Sequence, residues 1–192
     1  MNKRMYYIVN AITLYRLVAV PVLLLLIFTH QVNVFKWLLG LSFFTDVLDG
    51  WLARSYKVTS IMGAKLDSVA DDCTIVAAII GVMVLKPEFL KQQMLLIGIL
   101  LALFIIQTIM ALVKYGKISS FHTYSAKCAA FLQGSFLILL FFLPQPPEIL
   151  FYIAFAVTAM DLIEEIILVI MLPEWSVNVK GLYWLLKSKN II

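Results

Sequence analysis

Residues 46–72 read DVLDGWLARSYKVTSIMGAKLDSVADD, and five of the chain's 11 acidic residues interrupt apolar sequence there. These acids are Asp46, Asp49, Asp67, Asp71 and Asp72. The surrounding patterns predict helices at about 32–53 and 59–85. Positions three or four apart share one helix face, so the first two acids project together and so do the third and fourth. Two helices joined by a short turn can therefore aim four carboxylates at one point.

The composition outside this stretch indicates a membrane protein. The chain has 192 residues, of which 63% are hydrophobic and 14% are charged, which is far more apolar than a soluble domain. We expect an all-α polytopic membrane protein with six transmembrane helices, forming a single membrane domain over 1–192. The predicted helices are 11–29, 32–53, 59–85, 91–113, 124–143 and 148–171.

The acids need a partner inside such a bundle. A charge at the centre of a membrane helix costs about 2.5–3.5 kcal/mol on insertion scales, and carboxylates packed together protonate unless cations hold them ionised. Oxygen-rich sites suit Mg²⁺ or Mn²⁺, and four carboxylates can hold two such ions. In the alternative interpretation the acids pair with Lys57, Lys65 or Arg54 and serve helix packing.

Small and basic residues accompany the acids at helical spacing. Gly50, Ala53 and Gly63 expose backbone where a ligand or a neighbouring helix must come close. Arg54 offers a planar fork that suits a phosphate.

Together these residues form the pattern Asp46-x2-Asp49-Gly50-x2-Ala53-Arg54-x8-Gly63-x3-Asp67-x3-Asp71. The pattern resembles the signature of the CDP-alcohol phosphotransferases (CDP-alcohol phosphatidyltransferases), including phosphatidylglycerophosphate synthases, at all eight defined positions. The opening Asn10-x2-Thr13-x2-Arg16 is similar to that family as well.

The resemblance implies a homodimer of six-helix protomers that transfers a phosphatidyl group from CDP-diacylglycerol to an alcohol and releases CMP. It implies that two divalent ions, Mg²⁺ or Mn²⁺, are held by Asp46, Asp49, Asp67 and Asp71. Asp71 would take the proton of the acceptor hydroxyl. The nucleotide and phosphate site would be lined by Thr13, Gly50, Ala53, Arg54 and Gly63.

The acceptor alcohol is less determined by the sequence. Glycerol 3-phosphate is the first expectation, with inositol, inositol phosphate or serine as alternatives. A second phosphate needs extra cations, for which Lys65 and Lys127 are candidates. Asp161 and Glu165 share a face of the last predicted helix, beside Glu164, and suit hydroxyls or an amine; they could equally pair with Lys127 or stabilise a dimer.

Basic residues predict the orientation. Twelve of the 15 lysines and arginines fall at the ends that are cytoplasmic when the N-terminus is inside, which places both termini and the active site on that side. We expect short amphipathic interfacial segments at both termini and, in a bacterium, the inner membrane. The net charge of +4 then reflects topology and anionic lipid, and no nucleic acid is expected.

Two other functions are compatible with membrane acids. A membrane prenyltransferase also uses Asp pairs and Mg²⁺, but lacks the Gly50 and Ala53-Arg54 that follow them here. An ion or proton transporter would use acids as a relay spread across the bilayer, whereas the motif acids here cluster in the predicted cytoplasmic half.

Overall fold

The computed structural model of the protein describes residues 3–56, 61–117, 121, 123–176 and 179–188. Within these ranges the chain is helical and contains no strand. The helices are α1 (Lys3–Phe28), α2 (Val32–Ser55), α3 (Ile61–Leu85), α4 (Pro87–Gln92), α5 (Met94–Tyr115), α6 (Tyr124–Phe142), α7 (Glu148–Met171) and α8 (Leu182–Ser188). The prediction of an all-α protein is confirmed.

The long helices follow the predicted segments closely, with two differences at their ends. The predicted interfacial segment at the N-terminus continues directly into the first span, because α1 already begins at Lys3. The start of the predicted segment 91–113 is divided between the six-residue α4 and the beginning of α5. Pro87 opens α4, as expected for a residue that lacks an N–H and is tolerated in a first helical turn.

The chain divides into two compact units, Met1–Lys91 and Gln92–Ile192. In the first unit α1 packs against both α2 and α3. Leu23 and Ile27 of α1 and Phe35 and Leu39 of α2 are buried in its core. His30 takes a positive φ of 53° in the tight turn between these helices, so the chain reverses within three residues and α2 runs back along α1.

In the second unit α7 packs against both α5 and α6. The ends of α5 and α7 lie side by side, since the Tyr115 hydroxyl is 3.0 Å from the carbonyl oxygen of Val169 and 2.8 Å from that of Leu172. Lys114 adds hydrogen bonds to the carbonyl oxygens of Val169 and Ile170. A helix leaves its last carbonyls without intrahelical partners, so these two side chains of α5 cap α7.

Three helical segments of the described part are long and apolar enough to cross a membrane: Tyr7–Phe28, Met94–Tyr115 and Tyr124–Phe142. Six were predicted, so the composition of the helices supports half of that number. The long helices α2 and α7 carry several acids, which raise the charge of their sequences above what an ordinary lipid-facing span has. Charges of this kind face a bundle interior or a polar cavity in membrane proteins.

The predicted interfacial segment after Pro173 contains the short helix α8. Tyr183 and Trp184 are exposed on it, and the Trp184 ring lies 5.1 Å from that of Tyr124. Exposed aromatic rings beside Lys187 are typical of a segment at a membrane surface.

Candidate active site

The four motif aspartates converge on one basic side chain of α1. Asp46 and Asp49 lie in the last turns of α2, and Asp67 and Asp71 lie in the first turns of α3. Arg16, near the middle of α1, contacts all four carboxylates. We call these five residues the Arg16 cluster.

The guanidinium of Arg16 bridges both helices. Its Nη1 lies 2.8 Å from Asp46 Oδ1, 3.0 Å from Asp67 Oδ1 and 3.5 Å from Asp49 Oδ2. Its Nη2 donates to Asp71 Oδ1. A planar guanidinium presents five N–H donors in a fixed fork, which lets one side chain hold carboxylates from two helices.

Burial divides the cluster into a closed side and an open side. Arg16 and Asp49 are each 2% exposed, whereas Asp46, Asp67 and Asp71 are 36–38% exposed. Three carboxylates therefore have a face open to a ligand, while the fourth anchors the cluster in the core of the first unit.

Thr13, predicted at the nucleotide site, lies one turn before Arg16 and is 3% exposed. Its hydroxyl oxygen is 3.2 Å from Asp49 Oδ2 and 3.2 Å from the carbonyl oxygen of Val9. The structure thus brings Thr13 against the buried acid. Gly50 directly follows that acid on α2.

The remaining predicted residues around the motif are only partly described. Ala53 and Arg54 belong to α2, and Gly63 and Lys65 belong to α3, but their side chains lie outside the described part of the protein. Lys57, one of the three packing partners considered for the acids, also lies outside it. Among the described side chains, the basic partner of the acids is Arg16.

The donor set of the cluster fits a divalent cation. Asp46, Asp49 and Asp67 each offer a carboxylate oxygen, and these oxygens lie within 4.8 Å of one another. Within the described residues, Asp49 Oδ1 is buried and has no hydrogen-bond partner. Hard divalent cations prefer carboxylate oxygens, and a buried acceptor without a donor is where such an ion would gain most.

A second set of acids lies in the second unit and is held differently. Asp161 Oδ1 accepts hydrogen bonds from the hydroxyls of Thr123 at 3.0 Å and Ser125 at 2.9 Å. Glu164 lies within hydrogen-bond distance of the same Ser125 hydroxyl, whose single proton the two carboxylates share, and accepts at 2.6 Å from the backbone N–H of Leu182. We call Thr123, Ser125, Asp161 and Glu164 the Asp161 group; it joins the start of α6 to α7 and α8.

A cavity of about 570 Å³ opens beside this group within the second unit. Its polar lining includes Gln107, Gln133, Thr158, Asp161 and Glu165. Leu100, Leu101 and Phe104 of α5 provide part of its apolar wall. The predicted acceptor residues Asp161 and Glu165 are thus brought together at one cavity.

Lys127, the other predicted acceptor residue of this unit, is not part of that cavity lining. Its side chain is exposed, with Nζ 5.4 Å from the centre of the Tyr124 ring. Within the second unit it is a surface cation stacked on an aromatic ring.

Sequence reasoning did not assign Arg16 to the site. It stands one turn after Thr13 in a helix whose other residues are mostly apolar. A buried arginine cannot lose its charge and needs an acidic partner. That rule, together with the placement of Thr13 and Arg16 on one helix face, was the available signal.

Helical segments apolar enough to cross a membrane, together with an acid cluster that could hold a divalent ion, define the class as a helical membrane protein. The particular family follows from comparison: the model of the CDP-alcohol phosphatidyltransferase family matches residues 6–160. The chain belongs to the CDP-alcohol phosphatidyltransferase family.

Curated relatives match parts of the chain. Proteins from two strains of Mycobacterium tuberculosis, each named "Probable phosphatidylglycerophosphate synthase", are 38% identical over 88 residues, which is 43% of this chain and 42% of the relative. A Haemophilus influenzae protein named "CDP-diacylglycerol--glycerol-3-phosphate 3-phosphatidyltransferase" is 37% identical over 73 residues, which is 36% of this chain and 39% of the relative. The matches thus span less than half of each relative's length. No solved structure matches the chain significantly.

Proposed function

We propose that this protein transfers a phosphatidyl group from CDP-diacylglycerol to an alcohol and releases CMP. The observation that carries the proposal is the convergence of Asp46, Asp49, Asp67 and Asp71 on one point of the first unit. These are the four acids of the family signature, and the family match includes both helices that supply them.

We propose Mg²⁺ or Mn²⁺, as two ions, for the Asp46, Asp49, Asp67 and Asp71 carboxylates. Such ions would neutralise and orient a pyrophosphate. The close spacing of three of the carboxylates supports this assignment, as does the Asp49 oxygen that has no hydrogen-bond partner among the described residues.

The proposed reaction is a direct displacement at phosphorus. Asp71 takes the proton from the acceptor hydroxyl as the acceptor oxygen bonds to the β-phosphorus of the donor and the bond from that phosphorus to the CMP oxygen breaks. An alcohol is a poor nucleophile until a base removes its proton. Asp71 suits this role because its carboxylate is partly exposed and lies at the open side of the cluster.

We assign the nucleotide and its phosphates to Thr13, Gly50, Ala53, Arg54 and Gly63. Support comes from Thr13, whose hydroxyl contacts Asp49 and so lies beside the acids that would hold the pyrophosphate. Arg54 would neutralise the phosphate of the departing CMP.

Glycerol 3-phosphate is the proposed acceptor, because the names of the relatives specify phosphatidylglycerophosphate synthesis or glycerol 3-phosphate. Lys65 and Lys127 remain candidates for its phosphate. Asp161 and Glu165 line a cavity with amide and hydroxyl groups, a lining that suits hydroxyls or an amine better than a phosphate. Inositol, inositol phosphate and serine therefore stay as alternatives.

The proposed setting is a membrane domain of six spans with both termini and the active site in the cytoplasm, working as a homodimer, in the inner membrane if the source is bacterial. The family match crosses the boundary between the two units, which supports a single domain over 1–192. In the second unit α5 runs parallel to α7, as alternate spans of a bundle must.

The test is CMP release by the purified protein in detergent with CDP-diacylglycerol and Mg²⁺ or Mn²⁺. Glycerol 3-phosphate, inositol, inositol phosphate and serine are supplied one at a time. Release that requires both metal and glycerol 3-phosphate is expected. Release with a different acceptor would retain the reaction and change the substrate, whereas no metal-dependent release with any acceptor would contradict the proposal and favour an ion or proton transporter.

A further inference from the structure

We propose that Arg16 is an internal competitor of the divalent ions, so that loading the site requires its guanidinium to withdraw from the carboxylates. The inference rests on the proposed metal use of the Arg16 cluster. It adds a residue that sets the ion concentration at which the site fills.

The competition follows from the positions of the atoms. The three carboxylates whose oxygens are close enough to hold an ion together are those of Asp46, Asp49 and Asp67. Nη1 of Arg16 lies 2.8–3.5 Å from an oxygen of each of them. A Mg²⁺ ion binds oxygens at about 2.0–2.1 Å in a near-octahedral shell, and a guanidinium nitrogen among the same carboxylates occupies that space.

Charge gives the ions their advantage over the guanidinium. Arg16 supplies one positive charge to four carboxylates, so the cluster retains excess negative charge when the acids are ionised. Arginine stays protonated in proteins, so it cannot yield the site by losing a proton. It must move its side chain instead.

Hydrogen bonding shows that Arg16 satisfies the cluster incompletely. Within the described residues, Nε of Arg16 and Oδ1 of Asp49 are both buried without a hydrogen-bond partner. A buried polar group left unpaired costs stability. The guanidinium is therefore held at its Nη atoms alone, and the anchoring acid keeps one oxygen for a further cation.

Two consequences follow for metal binding. The first ion must displace the guanidinium, whereas the second meets carboxylates already freed, so loading is cooperative. Removing the guanidinium should make the first ion bind more tightly and reduce the cooperativity. It should also leave the acids dependent on ions for their charge balance.

The experiment is Mn²⁺ binding to the purified protein in detergent, measured from the electron paramagnetic resonance signal of free Mn²⁺, with thermal melting as a second readout. The variants are Arg16→Gln, which removes the charge, and Arg16→Lys, which keeps the charge but loses the fork. Lys91→Gln is the matched control, because it removes one positive charge from an exposed position on α4 of the same unit.

We expect Arg16→Gln to bind Mn²⁺ roughly tenfold more tightly than the wild type, with lower cooperativity. Its melting temperature should fall without Mn²⁺ and rise more steeply with it. Arg16→Lys should lie between the two, and Lys91→Gln should match the wild type. If Arg16→Gln folds only with Mn²⁺, that outcome supports the inference as well.

Equal or weaker Mn²⁺ binding by folded Arg16→Gln would overturn the inference and leave the metal assignment standing. If Arg16→Gln does not fold under any condition, Arg16→Lys decides: tighter binding supports competition and unchanged binding refutes it. If the wild type and all variants bind no Mn²⁺, the proposed metal site itself fails, and the inference fails with it.

Discussion

The two units surround their clustered acids with different kinds of partner. In the first unit four carboxylates meet a cation, Arg16, and three of them keep an open face. In the second unit Asp161 and Glu164 meet neutral donors: two hydroxyls and one backbone N–H.

The difference separates an acid cluster that could hold a divalent ion from the Asp161 group, in which the acids already have hydrogen-bond donors. Neutral donors satisfy a carboxylate without another ion, and here they join the start of α6 and the start of α8 to α7. An acid cluster with one cation keeps an excess of negative charge. A divalent ion, alone or with a bound substrate, can supply the positive charge that neutralises it. Substitutions in the Arg16 cluster should therefore change the reaction rate and the effect of metal ions on thermal stability. Substitutions in the Asp161 group should change the free energy of unfolding.

The largest expected effect is on turnover. Asp71→Asn should lower CMP release roughly 10²–10⁴-fold, because the amide cannot take the acceptor proton. Initial rates with CDP-diacylglycerol, acceptor and Mg²⁺ measure it. The matched control is Asp72→Asn, the exposed neighbour on the same helix, which should keep near wild-type rates. Equal losses in both variants would contradict the assignment of the base.

A metal-dependent change in thermal stability should distinguish the units directly. An ion whose free concentration is 100 times its Kd stabilises the folded protein by about 2.7 kcal/mol. Saturating Mn²⁺ should therefore raise the melting temperature of the wild type in detergent. Asp49→Asn should abolish that rise, since it removes the buried ligand of the Arg16 cluster. Asp161→Asn should preserve it. If the rise survived Asp49→Asn but disappeared in Asp161→Asn, the ions would bind in the second unit, which would contradict the proposed site.

Loss of the Asp161 carboxylate should lower the free energy of unfolding, because the Asp161 group joins α6 and α8 to α7. Asp161→Ala leaves the buried Thr123 hydroxyl without its carboxylate acceptor, while Ser125 keeps Glu164, which should cost about 1–3 kcal/mol of unfolding free energy. Chemical denaturation in detergent, followed by circular dichroism, measures it. Glu174→Gln, at an exposed position outside the helices, is the control and should stay within about 0.5 kcal/mol. An unchanged unfolding free energy in Asp161→Ala would show that the Asp161 group does not stabilise the fold.

The smallest effect on stability is expected where the Asp161 group meets the start of α8. Gly181 has a φ of 145°, and a Cβ added there would lie 2.9 Å from Oε1 of Glu164. Gly181→Ala should therefore lower stability by about 1 kcal/mol, the low end of the cost of a strained backbone position, since Oε1 is the far end of a flexible side chain. Gly134→Ala on α6, where a Cβ meets nothing within 4 Å, should be neutral or slightly stabilising. Equal melting temperatures for the two variants would contradict this difference.

Local patterns predicted much of this molecule. The helices, most of their ends and the pairing of acids on two of them follow from apolar periodicity and from spacings of three or four residues. The count of six spans did not follow as simply, because acids raise the charge of α2 and of α7, so that composition alone does not identify these two helices as spans. The location of Asp161 and Glu165 on one face was predicted, but not the cavity they share.

The amino-acid sequence by itself determined the helical membrane class, the signature of the family and the set of acids that can bind metal, because these depend on residue type and on spacing along one helix. The contacts that these acids make with other side chains were visible only in the tertiary structure. Arg16 is 30 to 55 positions from its carboxylate partners, and Thr123 is 38 positions from Asp161. Such pairings depend on how helices pack and on which face turns inward, and local periodicity carries no information about which helix lies opposite.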